Sequence, residues 1–329
     1  MKIVRLVDLC FRYQNSETIN LQHINLEIET GEFIVFTGKS GCGKSTLLNI
    51  ISGVLAKDGK NYFSGSMYLK QNAVLENDFE ELSPLVAMVF QNPEDQLFAE
   101  TVYEEVAFAL KNKRLPKEEI HKKVLTILQF VGLQGMEERD IRQLSGGQQQ
   151  RLALASMVVH EPELLILDEP LSQIDPQGAR DLLTLLCKLI KKYNMTILMA
   201  EHRLHEVLEF CDRLIIMEGG KIVSDNSIQK IVANALILKQ FSLRVPPALM
   251  ISEHFSIQPP TMDREILIKE MRKKEFHIDH TLPSAMERTG SDALILKNIT
   301  YKYGNHTGIN AISLCFKSNS FNALIGANG

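Results

Sequence analysis

No run in this chain approaches the ~18 consecutive apolar residues of a membrane-spanning helix, so any membrane contact is expected to go through a partner. The opening, MKIVRLVDLCFRY, sets Arg5 and Asp8 among its apolar residues and lacks the long apolar stretch of a secretory signal. Cysteine is scarce: Cys10, Cys42, Cys187, Cys211 and Cys315 are five in number, widely spaced and form no CxxC. That pattern argues against a disulfide framework and a zinc cluster, and it suits a reducing cytosol. A basic excess is missing as well, since 36 Lys and Arg face 40 Asp and Glu for a net charge of -4. A binder that neutralises nucleic-acid phosphates needs the opposite balance, so no nucleic-acid partner is expected.

What is present is an ordinary globular composition, 45% hydrophobic and 23% charged, over 329 residues, enough for about two domains. Apolar stretches at 24–28 and 33–37 predict strands, the second running into a glycine-rich turn and then a helix over 45–55. Helical periodicity rich in Glu and Lys covers 97–131, whereas 164–167 and 196–200 are short apolar runs typical of buried parallel strands. An α/β core interrupted by a helical insert, about 92–158, is expected. Residues 212–226 predict a hairpin turning at Gly219-Gly220 and closing a first unit at about residue 225.

Residues 226–291, punctuated by Pro246-Pro247 and Pro259-Pro260, predict a linker with some helices. After it the sequence repeats its own start. LKNITYKY (296–303) lies over LVDLCFRY (6–13), INAISLCF (309–316) over LQHINLEI (21–28), and FNALIGANG (321–329) over FIVFTGKSG (33–41). Residues 292–329 therefore predict the start of a second, truncated unit, with strands expected to be disordered or aggregation-prone for want of neighbours.

The chemistry begins at Gly38-Lys39-Ser40-Gly41-Cys42-Gly43-Lys44-Ser45, which fits GxxxxGK[ST] after a strand and at the start of a helix. Its backbone N–H groups can turn inward on a phosphate, with Thr46 following in the same turn. Lys44 is placed to reach the β and γ phosphates, and the Ser45 hydroxyl to ligate Mg²⁺. Downstream, LLILDE ends an apolar strand on Asp168, a candidate Mg²⁺ ligand, and Glu169, a candidate for polarising the attacking water. Cys42, at a helix N-terminus beside Lys44, is expected to be a reactive thiol that ATP protects. His202 and His205 share a helical spacing but have no third ligand, which makes them a weak metal pair.

Leu144-Ser145-Gly146-Gly147-Gln148, between the two phosphate motifs, opens a helix with a serine and two glycines and so makes a second anion-binding terminus. Here the sequence resembles the ATP-binding-cassette ATPases, P-loop proteins whose fold adds an antiparallel β part and a helical signature subdomain. The resemblance covers residues 1 to about 225. It implies that Gln91 is the Q-loop glutamine and a further Mg²⁺ ligand, that Ser172-Gln173-Ile174-Asp175 is the D-loop, with Asp175 at the nucleotide, and that His202 is the switch histidine. Tyr13 matches the aromatic that stacks on adenine, or it packs on a sheet edge.

The stretch VFQNPEDQLF (89–98), followed by TVYEEVAFAL, and EHRLHEV (201–207) resemble the energy-coupling-factor and cobalt-uptake (CbiO-like) importers, including double-cassette members. That resemblance implies an ATP-hydrolysing subunit with ATP and Mg²⁺, lying peripherally on the cytoplasmic face of the cell membrane. Its implied partners are a second cassette, a transmembrane T-component and a substrate-binding S-component; its implied cargo is a vitamin, a vitamin precursor or a metal ion. Glu94 and Asp95 then face a basic coupling helix, or they form a solvated acidic loop. Two other readings stand beside it: a soluble tandem ATPase, and a defective fragment that only binds ATP.

Overall fold

The computed structural model describes residues 1–55, 60–74, 83–273, 291–303 and 306–318. They divide into two compact units, Met1–Met271 and Arg272–Ala327.

The first unit holds two sheets. Strands β1 (Lys2–Arg12), β2 (Leu21–Glu29), β4 (Tyr62–Leu69) and β5 (Asn72–Ala73) form an antiparallel sheet in the order β2-β1-β4-β5. Strands β3 (Phe33–Thr37), β6 (Val86–Val89), β7 (Leu164–Asp168), β8 (Thr196–Ala200), β9 (Arg213–Glu218) and β10 (Lys221–Ser227) form the other, in the order β10-β9-β3-β8-β7-β6. All neighbours in it are parallel except β9 and β10, the hairpin expected at Gly219-Gly220. Residues of β3 and β8 are buried on both faces, which is why these strands read as unbroken apolar runs.

Alternate residues divide that burial between two cores. Ile34, Phe36, Leu164 and Ile166 face β1, β2 and helix α1 (Lys44–Ile51), whereas Phe33, Val35, Leu165 and Leu167 face the remaining helices. Those helices are α2 (Val102–Asn112), α3 (Lys117–Val131), α4 (Gly146–Val158) and α5 (Pro176–Tyr193). The periodic stretch 97–131 is thus two helices. Pro116 has no N–H to continue a helix and restricts Leu115 before it, so the chain breaks at 113–116. Helix α1 likewise stops at Ile51, short of the expected residue 55, where Gly53 takes φ +81°.

Up to Met271 the stretch expected as a linker is in part helical and belongs to the first unit. Ile231, Leu238, Val245 and Leu249 from helices Ile228–Ala233 and Pro247–His254 and the segments between them join the helical core. Their apolar spacing was masked in the sequence by the prolines that separate the short helices. Residues 274–290 lie outside the described residues.

In the second unit β11 (Asp292–Tyr303) and β12 (His306–Lys317) form an antiparallel hairpin that leaves Leu294, Ile299, Tyr301 and Ile312 exposed. This hairpin repeats β1–β2 down to its irregularities. Asp8 and His23 sit at φ +50° and +51°, and the residues aligned with them, Asn298 and Ala311, at +49° and +51°. Asp8 N donates to Asn25 Oδ1 and His23 N to Cys10 Sγ; at the aligned positions Asn298 N donates to Ser313 Oγ and Ala311 N to Thr300 Oγ1. The second glycine-rich stretch, 321–329, lies outside the described residues.

Candidate functional site

Strands β3, β8, β7 and β6 are successive neighbours and end at one edge of the sheet, where parallel strands gather their carboxyl ends. Asp168 ends β7, and the segments following these strands carry Lys44, His202, Glu169 and Gln91.

After β3 the chain turns through 38–43 before α1. Gly38 takes φ +145°, and a Cβ there would lie 2.1 Å from the Met217 carbonyl oxygen, so a side chain cannot be accommodated. Lys44 opens α1 only 5% exposed, and its Nζ donates to the Gly38 carbonyl at 3.1 Å. The carbonyl dipoles hold the buried ammonium at the loop, where an anion can meet it. Ser45 Oγ donates to Asp168 Oδ1 at 3.0 Å. Burial pushes the Asp168 carboxyl above the usual carboxylate range, opposed by the Ser45 hydrogen bond and aided by the neighbouring Glu169.

Glu169 is bracketed from two strands. Its Oε2 accepts from Gln91 Nε2 at 3.2 Å, and its Oε1 lies 3.0 Å from His202 Nε2. Its backbone is in the left-handed region at φ +47°, a conformation that costs about 1–3 kcal/mol and is held by Glu169 N donating to the Ala200 carbonyl at 3.0 Å. A carboxylate with both oxygens engaged and its backbone held is a preorganised proton acceptor.

A cleft of about 610 Å³ opens over these groups, lined by Ser40, Gly41, Gly43, Lys44, Ser45, Thr46, Gln91 and Glu169. Tyr13 is tied to it, its hydroxyl 3.2 Å from Thr46 Oγ1 and its ring edge-on to Phe11 at 4.9 Å. The lining also includes Thr18, Ile19 and Asn20 from the β1–β2 connection and Gly219 and Gly220 from the β9–β10 turn, none of which the sequence assigned to this site. Gly219-Gly220 reads as a hairpin alone; the signal for more is tertiary, since a Cβ on Gly220 would lie 2.4 Å from the Asn20 carbonyl oxygen.

The other candidates are not brought to this cleft. Ser145 and Gln148 form a reciprocal capping box on α4, with Ser145 N donating to Gln148 Oε1 at 3.0 Å and Gln148 N to Ser145 Oγ at 3.4 Å. Gly146 and Gly147 follow in the first turn of that helix, and none of the four lines the cleft. Asp175 caps α5, accepting from Gly178 N at 2.7 Å, and Gln173 Nε2 donates to Asn92 Oδ1 at 3.1 Å.

Cys42 lines the core rather than the cleft. It is 5% exposed, with its thiol 3.9 Å from Lys44 Nζ, and a reactive thiol needs access as well as a positive neighbour. Cys315 is exposed, its thiol donating to Asp292, whose carboxylate holds it above the ordinary thiol range. Maleimide is therefore expected to label Cys315 first, at a rate still rising with pH beyond the ordinary thiol range, and Cys42 far more slowly. Peptide mass spectrometry after timed labelling checks this, and Cys42 labelled as fast as Cys315 refutes it.

A family model described as ABC transporter matches residues 21–172. A protein named as an ABC transporter ATP-binding protein from Pyrococcus abyssi is 37% identical over 251 residues, covering 76% of this chain and 90% of the relative. The chain belongs to the ABC transporter ATP-binding proteins. A relative of the same description from Methanosarcina mazei is 39% identical over 263 residues, 80% of this chain and 45% of the relative, so the chain spans under half of that protein's length.

Two solved structures share the P-loop cassette fold. CbiO1 from Clostridium perfringens, described as part of the ABC transporter complex cbiONQ, aligns with a TM-score of 0.67 and 31% identity over 77% of this chain and 99% of that one. The ATP-binding cassette MJ0796, solved as a dimer in a post-hydrolysis state bound to ADP and Pi, aligns with a TM-score of 0.60 and 30% identity over 68% of this chain and 98% of that one.

Proposed function

We propose that this ABC protein is the ATP-hydrolysing subunit of an importer of the energy-coupling-factor type, taking up a vitamin, a vitamin precursor or a metal ion. The observation that carries the reading is the convergence, at one sheet edge, of a buried Lys44, the Ser45–Asp168 pair and a Glu169 bracketed by Gln91 and His202.

In this reading ATP lies with its phosphates on the backbone of 38–45 and on Lys44, and Tyr13 stacks on the adenine. Glu169 takes the proton of the attacking water, oriented by Gln91 and His202; His202 also steadies charge developing on the γ-phosphate. The donors present are hard oxygens, the hydroxyl of Ser45, the carboxylate of Asp168 and the amide of Gln91, which suit Mg²⁺. Bound there, Mg²⁺ supplies charge neutralisation of the phosphates.

The Ser145–Gln148 terminus lies outside this cleft, so in this reading a second cassette supplies it, and Asp175 lies at the junction. The repeated bulges of β11–β12 support the start of a second cassette from residue 292, after a linker, in the double-cassette manner. The likeness to CbiO1 supports the importer branch and, with it, a T-component and an S-component. Among the described residues no helix is long and apolar enough to cross a membrane, and docking at the cytoplasmic face is peripheral in this reading.

Glu94 and Asp95 are exposed on a short 3₁₀ turn, beside an exposed Phe98 stacked edge-on to Phe108 at 4.7 Å. Reversing both acids to lysine is expected to abolish capture by a candidate T-component while leaving ATPase activity of the isolated chain unchanged. A pull-down checks it, and undiminished capture removes the docking role. A soluble tandem ATPase would carry the same repeat at 292–317; co-purification of the native chain with membrane proteins, with RNA or with neither separates the two readings.

A further inference from the structure

The proposed chemistry leaves two buried polar side chains unused at the same strand ends. Thr37, the last residue of β3, is 0% exposed, and Glu201, the first after β8, is 3% exposed. Neither Thr37 Oγ1 nor Glu201 Oε2 has a hydrogen-bond partner among the described residues. An unpaired buried polar atom is costly enough that one usually marks a water or a role.

Register puts the two side by side. Phe36 pairs with Ala200 in the parallel β3–β8 ladder, and Glu201 N donates to the Phe36 carbonyl at 3.0 Å, so Thr37 and Glu201 form the next pair along. Laterally paired residues of parallel strands project to the same face. Phe36 and Ala200 take the α1 side, so Thr37 and Glu201 project to the other, with Val35 and Met199.

The first oxygen of Glu201 is already employed: Oε1 accepts from His202 N at 2.8 Å and from Arg203 N at 2.9 Å. Burial raises the Glu201 carboxyl above the usual range, against those two N–H groups and the Arg203 guanidinium. Arg203 in turn donates to the Leu171 and Ile174 carbonyls at 2.7 and 3.0 Å, which fastens the far side of the same turn.

We propose that Glu201 is a positioning residue for His202: its carboxyl clamps the turn after β8 that aims the imidazole at Glu169, and its Oε2 ties that turn, through one buried water, to the Thr37 hydroxyl at the root of the phosphate loop. Nucleotide on the loop and the histidine beside Glu169 are thereby held by one short polar link between neighbouring strands. The inference rests on the ATPase reading, because it concerns the aim of a residue in that reaction.

The test is steady-state ATPase and nucleotide titration on the full chain carrying Glu201→Ala, Glu201→Gln or Thr37→Val, each alone and with His202→Ala. Glu201→Ala is expected to lower kcat roughly tenfold with KM for ATP within about twofold, and to cost nothing further once His202 is alanine. Glu201→Gln recovers most of the loss, because its amide oxygen accepts the same two N–H groups. Thr37→Val removes an unpaired hydroxyl at constant shape, which on structural grounds alone is neutral or stabilising; the link predicts a kcat loss of roughly two- to fivefold that also vanishes beside His202→Ala. That variant carries the test if Glu201→Ala does not fold. Losses that add to that of His202→Ala, a KM that rises in step, or a glutamine variant as impaired as the alanine one each overturn the role. A wild-type chain without Glu169-dependent turnover counts instead against the ATPase reading, whereas turnover indifferent to Glu201→Ala overturns only the positioning.

Discussion

Glu169→Gln is expected to bind ATP as tightly as the wild type and to lose roughly 10²- to 10⁴-fold of turnover, the range a positioned general base contributes. The amide keeps the shape of the side chain and an oxygen to accept from Gln91, but it has no basic oxygen to take a proton from water. Its carbon skeleton sits on a backbone at φ +47°, fixed by the hydrogen bond to the Ala200 carbonyl, so the substitution does not disturb the turn. Equilibrium binding of a fluorescent ATP analogue beside phosphate-release kinetics separates the two effects. Undiminished hydrolysis rejects Glu169 as the base. A proportional loss of affinity identifies it as a binding residue.

Lys44→Ala is expected to show the converse, an ATP affinity roughly 10- to 100-fold weaker, the equivalent of one charge-assisted hydrogen bond of about 1.5–3 kcal/mol. The ammonium is buried beneath the loop and donates to the Gly38 carbonyl, so it presents a desolvated charge where a phosphate approaches. Lys44→Met keeps the aliphatic stem and is expected to lose affinity equally, which excludes a packing defect as the cause. Isothermal titration with the thermal melting curve of each variant is the measurement, and unchanged affinity in either variant removes Lys44 from the phosphate site.

Much of the cassette was legible because its signals are local. The GxxxxGK[ST] stretch after an apolar run specifies a strand, a tight turn and a helix from neighbouring residues alone, and Gly38 is required there by its φ of +145°. Buried strands such as 164–167 betray themselves as unbroken apolar runs, since both faces are covered. The helices of 228–254 were less legible, because each is too short for a periodic pattern and is held by the core it packs on. Pro116 could have warned that 97–131 is two helices, yet periodicity on either side of it masks the break.

By itself the sequence determined which residue types were on hand for phosphate chemistry, the order of their motifs and the repeat of the first hairpin at 292–317, all carried by spacing along the chain. Only the tertiary structure decided which of them meet. Strand order β3-β8-β7-β6 brings Lys44, His202, Glu169 and Gln91 to one edge from positions far apart in sequence, and recruits Asn20 and Gly220 through a close backbone approach that no spacing encodes. It also sets the Ser145–Gln148 cap elsewhere and pairs Thr37 with Glu201, because lateral register between strands is settled by core packing on both faces, not by either strand's own sequence.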